Sequence, residues 1–159
     1  MIFVTLGTQD KPFKRLLIEL QRCIDKGIIK DTVIVQAGIT KFKSDDMIIH
    51  DFLDMDVFDE YMDKADLIIC HGGVGSILGG VNRKKKVIAV PRLKRYKEHV
   101  NDHQLQIVEN FIKKDYIIGV RDLSELENAL KKSKTFEPKP YKSNRDEMIK
   151  LIEKLIDEE

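Results

Sequence analysis

The sequence predicts an α/β protein in which a parallel sheet carries helices on both faces. Three observations carry this. Short, largely apolar runs recur along the chain, at 2–6, 32–36, 47–50, 67–70, 87–90 and 116–119; strands apolar on both faces belong to parallel sheets covered on both sides. Between most of them, apolar residues fall at helical spacing, so strands and helices alternate. The least ordinary residues, glycines and histidines among them, collect just after strands, where open parallel sheets hold their ligands.

Composition narrows the class. A chain of 159 residues is one domain long and buries a real core. Its 28 basic and 27 acidic residues nearly cancel to a net charge of +1, which gives no general attraction to nucleic acid. Cys23 and Cys70 are far apart and suit a reduced, cytoplasmic protein better than a metal set. The apolar start at 1–6 is interrupted at 7–11, short of a signal peptide or a membrane span. Work at a membrane is therefore expected only through a partner.

Taken in order, the strand at 2–6 leads into Gly7 and Thr8. Phe13, Leu16, Leu17, Leu20 and Ile24 then predict an amphipathic helix over 12–26, with Pro12 tolerated in its first turn and Gly27 at its end. Strands at 32–36 and 47–50 follow with a polar loop between them. Phe52, Leu53, Asp54 and Met55 turn into a short helix ending near Lys64. The strand at 67–70 runs into His71 and a glycine turn, with a helix over 76–83. After the strand at 87–90 and Pro91, Val100, Gln104, Val108 and Phe111 share one helical stripe reaching Lys113. The short strand at 116–119 precedes a helix opened by Asp122 and Glu125 at capping-box spacing. Two prolines and three lysines make 133–143 an extended connection. Asn144 and Glu147 open a last helix with Met148, Leu151, Ile152, Leu155 and Ile156 on one stripe. That stripe packs either on its own sheet or on a partner. The expected organisation is a domain over 1–132, a linker over 133–143 and a terminal amphipathic helix over 144–159.

The chemistry concentrates after His71. Gly72, Gly73 and Gly75 permit a tight turn and close backbone approach, and Ser76 adds a hydroxyl at the helix start. This is the pattern of an anion site of diphosphate size; close packing of strand on helix is the other use of such glycines. Gly7 and Thr8 repeat the signal at a second strand end, although the pattern G-x-G-x-x-G is missing. Glu98, His99, Asn101, Asp102, His103 and Gln104 crowd a helix start where one cap would suffice. Gln104 shares the stripe of Val108 and Phe111, which turns its amide toward the sheet end, where it can bond sugar hydroxyls. His99 and His103, four apart, suit zinc, but no third ligand stands at a matching spacing, and no metal is expected. Arg83 to Lys86 read as a solvated turn. For Arg92, Lys94, Arg95 and Lys97 three uses stay open: neutralising phosphate, facing an anionic membrane, or forming a solvated loop.

These residues together resemble the donor-binding, C-terminal half of the GT-B glycosyltransferases of the family 28 type. The matching text comprises 3–8, 52–55, 65–76, 90–92 and 98–104, in order, and spans residues 1 to about 120. The group includes the enzyme that adds N-acetylglucosamine to lipid-linked peptidoglycan precursor. It also includes the catalytic subunit of the two-part enzyme acting on dolichol-linked sugar, and split bacterial capsule and exopolysaccharide enzymes, β-1,4-galactosyltransferases among them. The resemblance implies a Rossmann-like single GT-B half-domain. It places uracil at Phe52 and Leu53. Diphosphate falls to Gly7, Thr8 and the turn Gly73, Val74, Gly75 and Ser76; His71, Gly72 and Arg92, beside these loops, join the candidate donor-binding residues. Donor sugar falls to Asp102, His103 and Gln104, with Asn101 next to them a further candidate donor-binding residue. One departure is that the family's ribose-binding glutamate falls on Gly79 here, so ribose must be held by other groups.

The activity so implied is inverting transfer of a hexose, galactose favoured, from a UDP-sugar to a lipid-diphosphate-linked saccharide in capsule or exopolysaccharide synthesis. It needs no metal and no cofactor beyond the donor substrate. The chain starts directly with the donor half, so a separate membrane-associated subunit is expected to supply the acceptor site, holding the chain at the inner face of the plasma membrane. His71 and Glu98 are this chain's candidates for general base, unless the partner supplies it. The alternative is a non-catalytic nucleotide-sugar-binding accessory subunit.

Overall fold

A strand sends successive side chains to opposite faces, and here both sets are apolar. In the computed structural model, which describes residues 1–142 and 145–157, the strands are β1 (Ile2–Thr5), β2 (Val33–Gln36), β3 (Met47–His50), β4 (Leu67–His71), β5 (Lys86–Val90) and β6 (Ile118–Gly119). They form one parallel sheet in the order β3-β2-β1-β4-β5-β6. Val4 lies between Val35 and Ile69, and with Ile88 these residues face one core. Their neighbours Phe3, Ile34, Ile68 and Val87 face the other.

Helices α1 (Lys14–Asp25) and α5 (Leu126–Ser133) cover the first face. Helices α2 (Met55–Lys64), α3 (Val74–Asn82), α4 (His103–Lys113) and α6 (Arg145–Asp157) cover the second. In α1 the helical spacing holds: Leu16, Leu17, Leu20 and Cys23 are buried. The helix stops at Gly27, whose φ of +75° belongs to the left-handed region that glycine adopts without strain. At its start the Thr40 hydroxyl accepts the Phe13 N–H at 3.0 Å.

Three segments depart from the sequence expectation. Helix α4 begins at His103, because Lys94–Tyr96 forms a 3-10 turn that ends on Lys97 with φ +58°. Val100 is thereby left outside the helix and exposed. The capping pair serves a 3-10 turn, Leu123–Glu125, ahead of α5: Asp122 accepts the Ser124 N–H at 2.9 Å and Glu125 accepts the Arg121 N–H at 3.2 Å. The segment 133–142, as far as the described residues reach into the expected linker, is more anchored than its composition suggests. Ser133 closes α5, Phe136 packs on the first core, and the Tyr141 ring lies 5.1 Å from that of Tyr116 and 6.3 Å from that of Phe111.

The cap expected at Asn144 lies outside the described residues. Helix α6 packs Met148, Leu151 and Leu155 on the second core and exposes Ile149, Ile152 and Ile156. Among the described residues no helix is long and apolar enough to cross a membrane.

Candidate active site

The strand order puts β1 beside β4, and the chain leaves these two strands toward opposite faces, β1 into α1 and β4 into α3. Connections that diverge in this way open a crevice at the strands' carboxyl ends. A cleft of about 370 Å³ lies there. The β1 end contributes Thr5, Gly7, Thr8 and Gln9, and β2 contributes Gln36. Phe52, Leu53, Met55 and Phe58 follow β3, and His71, Gly73, Gly75 and Ser76 follow β4.

One half of the cleft suits an anion. No side chain caps α3, so its first-turn N–H groups and positive dipole end are left for a ligand. Gly75, in that first turn, is exposed, and a Cβ built on it meets nothing within 4 Å. The fold therefore does not require glycine there, although glycine costs a helix about 1 kcal/mol against alanine. What the missing side chain gives is room against the backbone. Gly7 and Gly73 serve a different purpose. A Cβ on Gly7 would come within 2.6 Å of the His71 ring, and one on Gly73 within 2.3 Å; both backbones stand directly against the imidazole.

His71 is 6% exposed. Its Nε2 lies 3.0 Å from the Ser76 hydroxyl oxygen, and its Nδ1 lies 3.1 Å from Gln104 Nε2. Burial, helped by the nearby Arg92 guanidinium, pulls the imidazole pKa down to about 4, so the ring is neutral at neutral pH. The other half of the cleft is apolar. Phe52 is 57% exposed and Met55 70%, side chains left bare at the mouth. Gln36 was not singled out by the sequence, though a polar residue ending an apolar strand at its carboxyl end is a readable signal. Its Oε1 accepts the Leu53 N–H at 2.9 Å, so that donor is already engaged and is not free for a base.

Other expected site residues stand behind the cleft instead of in it. Gln104 is buried, and its Oε1 accepts the N–H groups of Gly72 and Arg92, both at 3.0 Å. Its amide ties loops together where a sugar contact was implied. Arg92 is 1% exposed, and its guanidinium donates to the carbonyls of Lys11, Glu98 and Leu6. Burial lowers its pKa to about 10, so it stays a cation, yet it faces backbone and not the cleft. Glu98 is also buried: it grips Arg15 at 2.7 and 3.0 Å and accepts the Leu93 N–H at 3.1 Å.

Asn101 accepts the His103 N–H at 3.0 Å, and Asp102 accepts the Lys94 N–H at 2.8 Å beside a separate surface depression. Val74 packs partly on the second core. Gly79 faces Met62 of α2, 3.2 Å from where its Cβ would stand. Among the described residues no aspartate or glutamate lines the cleft, and no three His, Cys, Asp or Glu side chains are grouped to hold a metal ion.

The Glycosyltransferase family 28 C-terminal domain model matches residues 1–158. The UDP-N-acetylglucosamine transferase subunit ALG13 of Candida albicans is 32% identical over 93 residues, which is 57% of this chain and 30% of that protein. The match thus spans under a third of that relative's length. The solution structure of ALG13 superposes with a TM-score of 0.58 at 22% identity, over 89% of each chain. The crystal structure of MurG from Acinetobacter baumannii superposes with a TM-score of 0.55 at 15% identity, over 83% of this chain and 40% of that one. These two likenesses establish the fold.

Proposed function

The chain belongs to the glycosyltransferase family 28 C-terminal domain family, and from that premise we propose that its cleft binds a UDP-sugar as the donor half of a hexosyltransferase. The observation that carries the reading is the uncapped start of α3 with open space over Gly75. In this reading the diphosphate lies against the first-turn N–H groups and the Ser76 hydroxyl, facing Gly7 and Thr8. The uracil ring packs on the exposed Phe52. As the glycosidic bond to the donor sugar breaks, charge grows on the departing diphosphate, and the fixed N–H groups stabilise it there without reorganising.

The acceptor hydroxyl needs a base. Glu98 is committed to Arg15 and Leu93, and the described residues that line the cleft include no carboxylate. We therefore assign the base, and the lipid-diphosphate-linked acceptor, to a separate membrane-associated subunit. That the relative's description names a subunit supports this assignment, and the exposed Ile149, Ile152 and Ile156 of α6 are the surface offered to such a partner. Capsule or exopolysaccharide synthesis is the setting that the resemblance suggests. The same lack of a base also fits a second reading, donor binding without transfer.

Calorimetric titration tests the donor site, with UDP, UDP-galactose and UDP-N-acetylglucosamine in parallel. Galactose is the hexose favoured by resemblance; N-acetylglucosamine is the one in the relative's description. Gly75→Asp has room for its side chain, so the fold is expected to stand, while its carboxylate opposes the diphosphate. We expect at least a hundredfold loss of UDP affinity. Unchanged affinity in this variant, or no binding by the natural chain at millimolar UDP, would overturn the assignment.

A further inference from the structure

The bonds around His71 have a polarity that can be deduced from one end. Gly72 and Arg92 each point a backbone N–H at the same end of the Gln104 amide, both at 3.0 Å. A backbone N–H only donates, so that end is the oxygen and the NH2 group faces His71 Nδ1 at 3.1 Å. The NH2 group also only donates, so Nδ1 is the acceptor and carries no proton. A neutral imidazole then keeps its proton on Nε2, which faces the Ser76 oxygen at 3.0 Å. Ser76 receives that bond, and its own hydrogen is left to turn into the cleft it lines.

We propose that Gln104 and His71 are positioning residues that force the Ser76 hydroxyl to donate into the cleft, toward an oxygen of the bound diphosphate. This rests on the donor-site reading above. With the opposite tautomer, Nε2 would present a lone pair. Ser76 would donate to it and turn its own lone pairs on the anion, replacing an attraction with a repulsion. The ring has no room to turn toward Gly7 or Gly73, where even a methyl group would collide with it. Arg92, at the end of β5, and His99, in the loop before α4, are the charged or titratable groups acting on it, and both oppose its protonation. The other groups against the ring, Gly7, Gly73, Ser76 and Gln104, carry no charge. The same tautomer leaves His71 unable to act as general base. Its proton-free nitrogen points inward to Gln104, and the nitrogen beside Ser76 already holds a proton.

The test begins with the natural chain, free of ligand, and reads the tautomer from the nitrogen shifts of His71 by NMR. A single Nε2–H form between pH 6 and 8.5 is expected; an Nδ1–H form would overturn the proposal. The second measurement uses Gln104→Glu, which still accepts from Gly72 and Arg92 but cannot donate to Nδ1. In that variant the introduced carboxylate keeps the last proton on Nδ1, so Nε2 becomes bare when the imidazolium deprotonates. UDP-sugar affinity is then expected to fall at least tenfold as pH rises through the imidazole titration seen by NMR, while the natural chain stays flat.

Adding Ser76→Ala to Gln104→Glu should abolish that pH dependence. A flat profile for Gln104→Glu, or a pH dependence surviving in the double variant, would overturn the positioning role. The two readings fail separately. Absent UDP-sugar binding with the Nε2–H tautomer in place would sink the nucleotide assignment alone. Firm binding with an Nδ1–H tautomer would sink the positioning device alone.

Discussion

Arg92 and Glu98 meet behind the wall of the cleft, the guanidinium donating to the Glu98 carbonyl at 3.1 Å and the carboxylate closing on Arg15. Arg92 also holds the carbonyls of Leu6 and Lys11, so a buried cation fixes both ends of the loop that carries Gly7 and Thr8. Removing the charge of Glu98 leaves the partly buried Arg15 without its counterion and the buried Leu93 N–H with a weaker acceptor, which costs stability. Glu98→Gln should therefore cost about 1–3 kcal/mol of folding stability, measured by urea unfolding, with UDP affinity within twofold of the natural chain. Lost transfer at unchanged stability would instead make Glu98 the base. At this scale the sequence was informative about place and, apart from the Gln104 amide that its helical stripe turns toward the sheet end, silent about direction. Arg92, Glu98 and Gln104 were all legible as unusual residues at the ligand end of the sheet. Whether such a side chain turns to the ligand or to the backbone depends on carbonyls and N–H groups brought in from distant loops, and no spacing records those.

Among the elements, the strands and most helices were legible because their signals are local: apolar runs, the 3.6-residue stripe of α1, Gly27 at a helix end. The start of α4 was not, since a left-handed Lys97 and a 3-10 turn shift the chain while leaving Val100 in apparent register. Helix α6 shows a stripe resolved into two. Met148, Leu151 and Leu155 lie inward against the second core, with Leu155 at 5% exposure, while Ile152 is 39% exposed. Truncating the inward residue leaves a cavity as well as lost transfer energy, so Leu155→Ala should destabilise the chain by about 2–4 kcal/mol. Ile152→Ala should stay within about 0.5 kcal/mol. Thermal or urea unfolding checks both, and equal losses would mean that the helix does not sit on the sheet by the face described.

For the whole molecule, the decisive arrangement is the reversal of strand order between β1 and β4, which the sequence did not specify. Alternating strands and helices establish a parallel sheet, but the order of the strands is chosen by how six apolar ribbons share two cores. Even so, the position of the site was legible, because glycine-rich and polar residues at several strand ends must converge wherever a parallel sheet presents its carboxyl edge. In the proposed reading that edge supplies one side of a reaction, with N–H donors for a departing diphosphate and an apolar seat for the uracil ring. The described residues lining the cleft include no carboxylate, and the histidine there has both nitrogens engaged. Inverting transfer also needs a group that removes the acceptor's proton from the opposite side, and general-base assistance is worth about 10²–10⁴ in rate. The chain alone is therefore expected to bind UDP-sugar and to leave a lipid-diphosphate-linked acceptor unglycosylated. Co-expression with an acceptor-binding membrane subunit should bring transfer up by at least a hundredfold. Radiolabelled sugar incorporated into the lipid fraction measures it, and incorporation by the isolated chain at the rate of the pair would place the base on this chain after all.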